Sequence, residues 1–233
     1  MTNVTQVTVP DGTFDMTVWL PEAGHGPGIL LIHEIGGVGD YIQAVAQDLA
    51  DRGYVVGAPD LFWRIRPGYA AKFDEQGLAE SLEVSSHFGM RRGLEDAAAA
   101  YEALGDLPEV SGGRGLFGFC LGGTVAYLLA PRVEPDAVLS FYGSGVPENL
   151  EVLEQIRCPI LFVFGGSDPY ISRADVAKVE QAVAAHPDAE MYIEEAAGHA
   201  FHNRTAPMFY NEEAADRAWH DAEEFLEREL PID

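Results

Sequence analysis

Lysine is almost missing from this 233-residue chain: Lys72 and Lys178 stand alone, and arginine supplies the remaining basic side chains. Against 38 acidic residues this leaves a net charge of −24. A nucleic-acid partner is excluded as an expectation, because phosphate binding needs a basic face. Such acidity fits the surface of a protein from a GC-rich genome, or adaptation to high salt, where screening suppresses self-repulsion. Cysteine is scarce too. Cys120 and Cys158 are the pair, and one disulfide is a poor explanation for them without a secretory signal. The start, Met1 to Thr5, has neither a basic stretch nor an apolar core. No apolar run reaches the ~18 residues of a membrane span. A cytoplasmic enzyme without membrane contact is the expectation. Also missing are a phosphate loop, a dinucleotide fingerprint and His-Glu-x-x-His. His199 and His202 are three apart near Glu194 and Glu195, but no third ligand follows at recognisable spacing. Neither a metal nor a cofactor is expected.

What is present is a chain long enough for a large core and 47% hydrophobic, organised as one domain over 1–233. Val4 to Val9 and Thr13 to Leu20 alternate about the turn Pro10-Asp11-Gly12, which reads as a β-ribbon. Apolar runs then alternate with helical patterns, the signature of a parallel sheet covered by helices. The expected strands are Gly28–His33, Tyr54–Ala58, Gly115–Phe119, Ala137–Tyr142, Ile160–Phe164 and Glu190–Ile193. The expected helices are Tyr41–Asp51, Met90–Leu104, Leu121–Ala130, Arg173–Ala185 and Glu212–Glu229. Between Leu61 and Phe88 lies an irregular stretch, with Trp63 and Arg64 in it, that reads as a loop with a short helix near a site mouth.

The most informative run is Gly118-Phe119-Cys120-Leu121-Gly122-Gly123, after an apolar strand and before a helix. It is the pattern of an elbow that lifts a nucleophile onto a strained turn at a helix N-terminus. In the fold that uses such an elbow, the acid and then the histidine follow on loops after later strands. Asp168 lies just past Ile160–Phe164, and His199 just past Glu190–Ile193. A Cys120–His199–Asp168 triad is therefore expected, against the plainer readings of a packed cysteine and a helix-capping aspartate.

Together with Gly165-Gly166-Ser167-Asp168-Pro169, Ala197-Gly198-His199-Ala200-Phe201 and Pro59-Asp60-Leu61-Phe62, the elbow resembles the dienelactone hydrolase family, in its order and over nearly the whole chain. The resemblance implies an α/β-hydrolase fold, with a mostly parallel sheet of about eight strands and helices on both faces. It implies hydrolysis of a small ester or lactone through a thioacyl intermediate, with backbone N–H groups of Ile35 and Leu121 as the oxyanion hole. Glu34 matches a family carboxylate that contacts the resting thiol and moves when substrate arrives. Tyr142 matches a pocket tyrosine, and Phe201 is a further candidate for contact with substrate. Of two family arginines that hold a substrate carboxylate, one aligns with Asn203, next to Arg204; the other falls near Leu78, with Arg64 and Arg66 earlier. An anionic dienelactone should therefore be a poor substrate beside neutral esters or lactones. Promiscuous carboxylesterase or organophosphate esterase activity on the same triad is the alternative, as is a catalytically silent ligand-binding protein. The assembly expected is a monomer or small homo-oligomer.

Overall fold

A computed structural model describes residues 2–232; Met1 and Asp233, the ends of the span expected as one domain, lie outside them. One eight-stranded sheet runs in the order β1-β2-β4-β3-β5-β6-β7-β8. β1 (Thr2–Val9) and β2 (Gly12–Trp19) form the expected ribbon, in register from Thr2 opposite Trp19 to Val9 opposite Gly12. β2 also runs antiparallel to β4 (Val55–Pro59), and all later pairings are parallel. The central strands β3 (Gly26–Ile32) and β7 (Ile160–Gly165) are buried along their whole length. That is why they read as continuous apolar runs rather than alternating ones. β5 (Val110–Phe119), β6 (Ala137–Phe141) and β8 (Ala189–Glu194) complete the sheet.

Two residues of β5 show which helices cover which face. A Cβ on Gly118 would overlap the Gly122 carbonyl of α4 (Leu121–Val133), whereas the neighbouring Phe117 stacks on Trp219 of α6 (Glu212–Glu229) with ring centroids 6.0 Å apart. Successive strand residues point to opposite faces, so α4 and α6 lie on opposite sides. α1 (Asp40–Asp51) shares the α6 face through Tyr41 against Phe119 and the Arg52–Glu223 ion pair. α3 (Met90–Gly105) and α4 pack together on the other, and α5 (Arg173–Ala184) lies against β8. On α6, Ala215, Trp219, Ala222 and Phe225 recur at helical spacing; Ala215, Ala222 and Phe225 are buried and Trp219 is half-buried against the core, and burying a side chain such as Phe225 contributes roughly 1.5–3 kcal/mol.

Chain direction positions the site. After β3 the chain adds β4 on one side, and then β5 on the other. The carboxyl ends of β3 and β5 therefore flank a topological switch point, where open α/β sheets leave a crevice. Glu34 and Ile35 follow β3, and Cys120 follows β5.

The stretch read as irregular contains α2 (Glu75–Ser86), capped by the Asp74 side chain accepting from Gly77 N–H. Its earlier half corrects two expectations. Trp63 and Arg64 do not face the crevice. Trp63 Nε1 donates to Asp96 of α3 (3.0 Å), and Arg64 binds both Asp96 and Asp11 of the β1–β2 turn. Arg64 also stacks on Trp63, with its guanidinium 4.1 Å from the ring. The pair fastens the ribbon to α3. Asp96 is buried while holding both donors, and removing one partner from such a set leaves the others unpaired. Asp96→Ala should therefore lower stability by about 2–3 kcal/mol in denaturant titration and leave kcat/KM per folded molecule near wild type. A collapse of kcat/KM at unchanged stability would instead return Trp63 and Arg64 to the substrate site.

Candidate active site

Cys120 occupies the N-cap of α4 with φ 54° and ψ −114°. A β-carbon-bearing residue in that region costs on the order of 1–3 kcal/mol. The surrounding backbone is too close to relax it. Cys120 N–H donates to the Phe141 carbonyl (2.9 Å) and Thr124 N–H to the Cys120 carbonyl (3.1 Å). Cβ atoms on Gly118 and Gly122 would overlap the carbonyls of Gly122 and Ile32 respectively. Strand, turn and helix are thus pinched together, and the thiol projects from the only direction left.

The structure brings the three expected side chains into one line. Cys120 Sγ lies 3.1 Å from His199 Nε2, and His199 Nδ1–H donates to Asp168 Oδ2 at 2.7 Å. Asp168 Oδ1 accepts from the N–H groups of Tyr170 (2.7 Å) and Ile171 (3.1 Å), so the carboxylate is held on both oxygens. It does not cap α5, whose cap is Ser172 accepting from Asp175 N–H. Burial acts to lower the His199 pKa, but the Cys120 sulfur and the Asp168 carboxylate outweigh it and raise it to about 10. Leu121 N–H at the first turn of α4 and Ile35 N–H after β3 have no acceptor among the described residues.

Glu34 departs from expectation. It is buried in the cavity wall with Cys120, yet no hydrogen bond joins it to Sγ among the described residues. Its Oε1 accepts from Asn203 Nδ2 at 2.9 Å instead. Asn203 is itself fixed by Thr205, whose N–H and hydroxyl both donate to Asn203 Oδ1. Burial pushes the Glu34 pKa up to about 8, against the opposing pull of His199 and Asn203.

Other expected contacts are displaced. Tyr142 and Phe201 are buried and pack on each other, with Tyr142 against the His199 ring at 5.2 Å; they support the histidine and do not line the cavity. Asn203 is bound to Glu34, not open to substrate. Arg204 points outward to Asp48 at 2.7 Å, as expected when neighbouring side chains point oppositely. His202 accepts or donates at Tyr41 Oη (2.8 Å) and stacks between Phe119 and Trp219; burial, then Arg204, lower its pKa to about 3. It does not join His199, and no metal-sized group of three or more His, Cys, Asp or Glu exists among the described residues.

A cavity of about 190 Å³ opens onto Cys120 and His199. Its other walls include Ile35, Phe73, Leu78, Leu82, Tyr170 and Phe209, and no arginine or lysine. Phe73, Leu82, Tyr170 and Phe209 were not anticipated. The i, i+4 spacing of Leu82 from Leu78 was the available signal for Leu82, and the two-residue step from Asp168 for Tyr170.

A model of the dienelactone hydrolase family matches residues 14–230. The carboxymethylenebutenolidase of Pseudomonas putida is 31% identical over 204 residues, covering 87% of this chain and 86% of that protein. That of another Pseudomonas strain is 30% identical over 222 residues, covering 95% and 92%. Among solved structures, a dienelactone hydrolase-like promiscuous phosphotriesterase from metagenomic libraries superposes with a TM-score of 0.82 at 24% identity, covering 100% of this chain and 99% of that one. The likeness of structure establishes the α/β-hydrolase fold.

The raised pKa of Glu34 has a consequence for stability. The folded value of about 8 lies above the ordinary value of 4.5, so between these the unfolded chain is ionised while the folded one keeps its proton. Stability is lost as pH rises through this window. Glu34→Gln, which keeps the acceptor for Asn203, should match wild type near pH 4 and exceed it by roughly 2–4 kcal/mol at pH 9. Parallel stability–pH curves for the two proteins would show that Glu34 is ionised in the fold.

Proposed function

The chain belongs to the dienelactone hydrolase family and is a hydrolase, and on that footing we propose that it cleaves small uncharged esters or lactones with Cys120 as nucleophile. The observation that carries this reading is the line Cys120–His199–Asp168, with links of 3.1 and 2.7 Å, beginning on a strained elbow and ending on a carboxylate held by two N–H groups. Sγ, its proton held by His199 Nε2, attacks the carbonyl carbon and forms the C–S bond. The carbonyl oxygen takes up the electron pair and is stabilised by the N–H groups of Ile35 and Leu121, which have no other acceptor among the described residues. On collapse the bond to the alcohol oxygen breaks, and His199 donates the proton to that oxygen. Water, deprotonated by His199, then attacks the thioester carbonyl; on collapse the C–S bond breaks, the acid leaves, and Sγ is returned to its place beside the protonated His199 Nε2. Asp168 keeps the imidazole in the tautomer and orientation that both transfers require.

The restriction to uncharged substrates rests on the walls. A carboxylate must enter against a net charge of −24, into a cavity whose walls carry no arginine or lysine to pair with it. Arg64, Arg66 and Arg204 are each engaged elsewhere, by Asp96 and Asp11, by Glu80 and by Asp48. Losing one charge-assisted hydrogen bond costs roughly 1.5–3 kcal/mol, about 10- to 150-fold.

Three measurements test this. Cys120→Ala should abolish turnover of a neutral p-nitrophenyl ester, while Cys158→Ala, at a buried thiol whose pKa is raised to about 11, should retain it; the opposite pattern reverses the assignment, and acylation of Cys120 without turnover marks a silent binding protein. In Cys120→Ala the His199 pKa, followed by NMR titration, should fall well below about 10, since the sulfur that raises it is gone; an unchanged value would mean the pair is not electrostatically coupled. Dienelactone should have the lower kcat/KM beside a neutral ester, and Leu78→Arg should move that ratio toward the anion by about tenfold. A wild-type preference for dienelactone would overturn the restriction.

A further inference from the structure

The mouth of the cavity is apolar in a way that neither the core nor the triad requires. Leu82 (54% exposed), Tyr170 (63%) and Met208 (52%) are three of the six large hydrophobic side chains that stand exposed among the described residues. They come from three separate parts of the chain: α2, the loop after β7 and the loop before α6. Leu82 and Tyr170 line the cavity together with the half-buried Phe209, which follows Met208 in the loop before α6. The remaining three are scattered, Val4 on one edge strand, Tyr192 on the other, and Ile232 near the C-terminal end. Single exposed apolar residues need no explanation, whereas several converging on one opening mark a binding surface.

The backbone fixes this rim in place. Tyr170 lies two residues after Asp168 and donates its N–H to that carboxylate, so the contact that holds the acid also sets its ring edge-on to His199 at 5.2 Å. α2 is anchored on another side, by Val84 in a cluster with Phe62 and Tyr69 and by Ser81 on the Tyr69 hydroxyl (2.9 Å). This leaves Leu78 and Leu82, one turn apart, directed to the cavity. The cavity, about 190 Å³, is below the ~300 Å³ at which pockets begin to enclose a drug-sized ligand. A group longer than a short acyl chain must emerge between Leu82 and Tyr170.

We propose that Leu82, Tyr170 and Phe209 form a subsite for an uncharged apolar arm of the substrate, so that the preferred esters or lactones carry an alkyl or aryl group extending beyond the cavity. This rests on Cys120 being the nucleophile of an ester hydrolase. The arm covers the exposed faces of the three side chains and gains from each methylene removed from water, about two- to fourfold in kcat/KM per methylene at a partly open rim.

The test is the dependence of log kcat/KM on chain length for p-nitrophenyl esters from acetate to hexanoate, in wild type and in the double variant Leu82→Gln/Phe209→Gln. The slope cancels any difference in folded fraction or intrinsic rate between the two proteins. Wild type should gain two- to fourfold per methylene past propionate, and the variant close to none. A flat or falling wild-type series, or equal slopes in both, overturns the subsite. A second measurement does not depend on turnover: protection of Cys120 from iodoacetamide by N-alkylacetamides of increasing length. Protection that strengthens with length in wild type but not in the variant, in a protein that hydrolyses none of the esters, retains the subsite and removes the hydrolase reading. Protection indifferent to length removes the subsite whether or not esters are turned over.

Discussion

The close approach of three backbones at the end of β5 is the constraint on which the site depends. Strand β3, the Cys120 turn and the start of α4 meet with no room for a β-carbon at Gly118 or Gly122. Cys120 is held in a left-handed conformation as a result, and its N–H is spent on Phe141. The N–H of Leu121 is then left without a partner among the described residues, at the positive end of a helix. A reactive side chain and an unpaired donor are therefore products of the same steric fact. The strain recurs nearby, since Tyr142 (φ 38°) and Ala200 (φ 54°) are also left-handed. One follows β6 beneath the histidine and the other follows His199 itself, so among the described residues three of the four such residues other than glycine surround one centre.

Around that centre the charges are few and strictly assigned. In a chain of net charge −24, the crevice contains Asp168, occupied by three donors, and Glu34, occupied by Asn203. Burial favours the neutral form of Glu34 and would do the same to His199, but the Cys120 sulfur and the Asp168 carboxylate raise His199, whereas Glu34 has no neighbour of opposite sign beyond His199 itself. The same desolvation thus moves two groups differently according to what faces them. With Asn203 holding Glu34, the thiol is left facing His199.

Much of the architecture was legible because period and burial agree. Buried parallel strands such as Ile160–Gly165 are continuous apolar runs, and α6, from Glu212 to Glu229, has both its expected ends because one face must be apolar and Asn211 caps it. The Leu61–Phe88 stretch resisted because its residues serve several surfaces at once. Val84 faces Phe62 and Tyr69, Leu78 faces the crevice, and Trp63 reaches across to Asp96, so no single period describes them.

The order strand, Gly-x-Cys-x-Gly, helix, together with an aspartate and a histidine each placed just past a later strand, is written in local sequence, because turn geometry and strand periodicity act over a few residues. From it came the fold, the membership of the family and the choice of Cys120, Asp168 and His199. Which side chains fill the space beside them was decided only by tertiary structure. Asn203 goes to Glu34, Arg204 to Asp48, Arg64 to Asp96, and Tyr142 to the underside of His199. Each pairing joins residues 30 or more positions apart, and which of several competing partners a charge or ring meets depends on how the loops close, which no local pattern encodes.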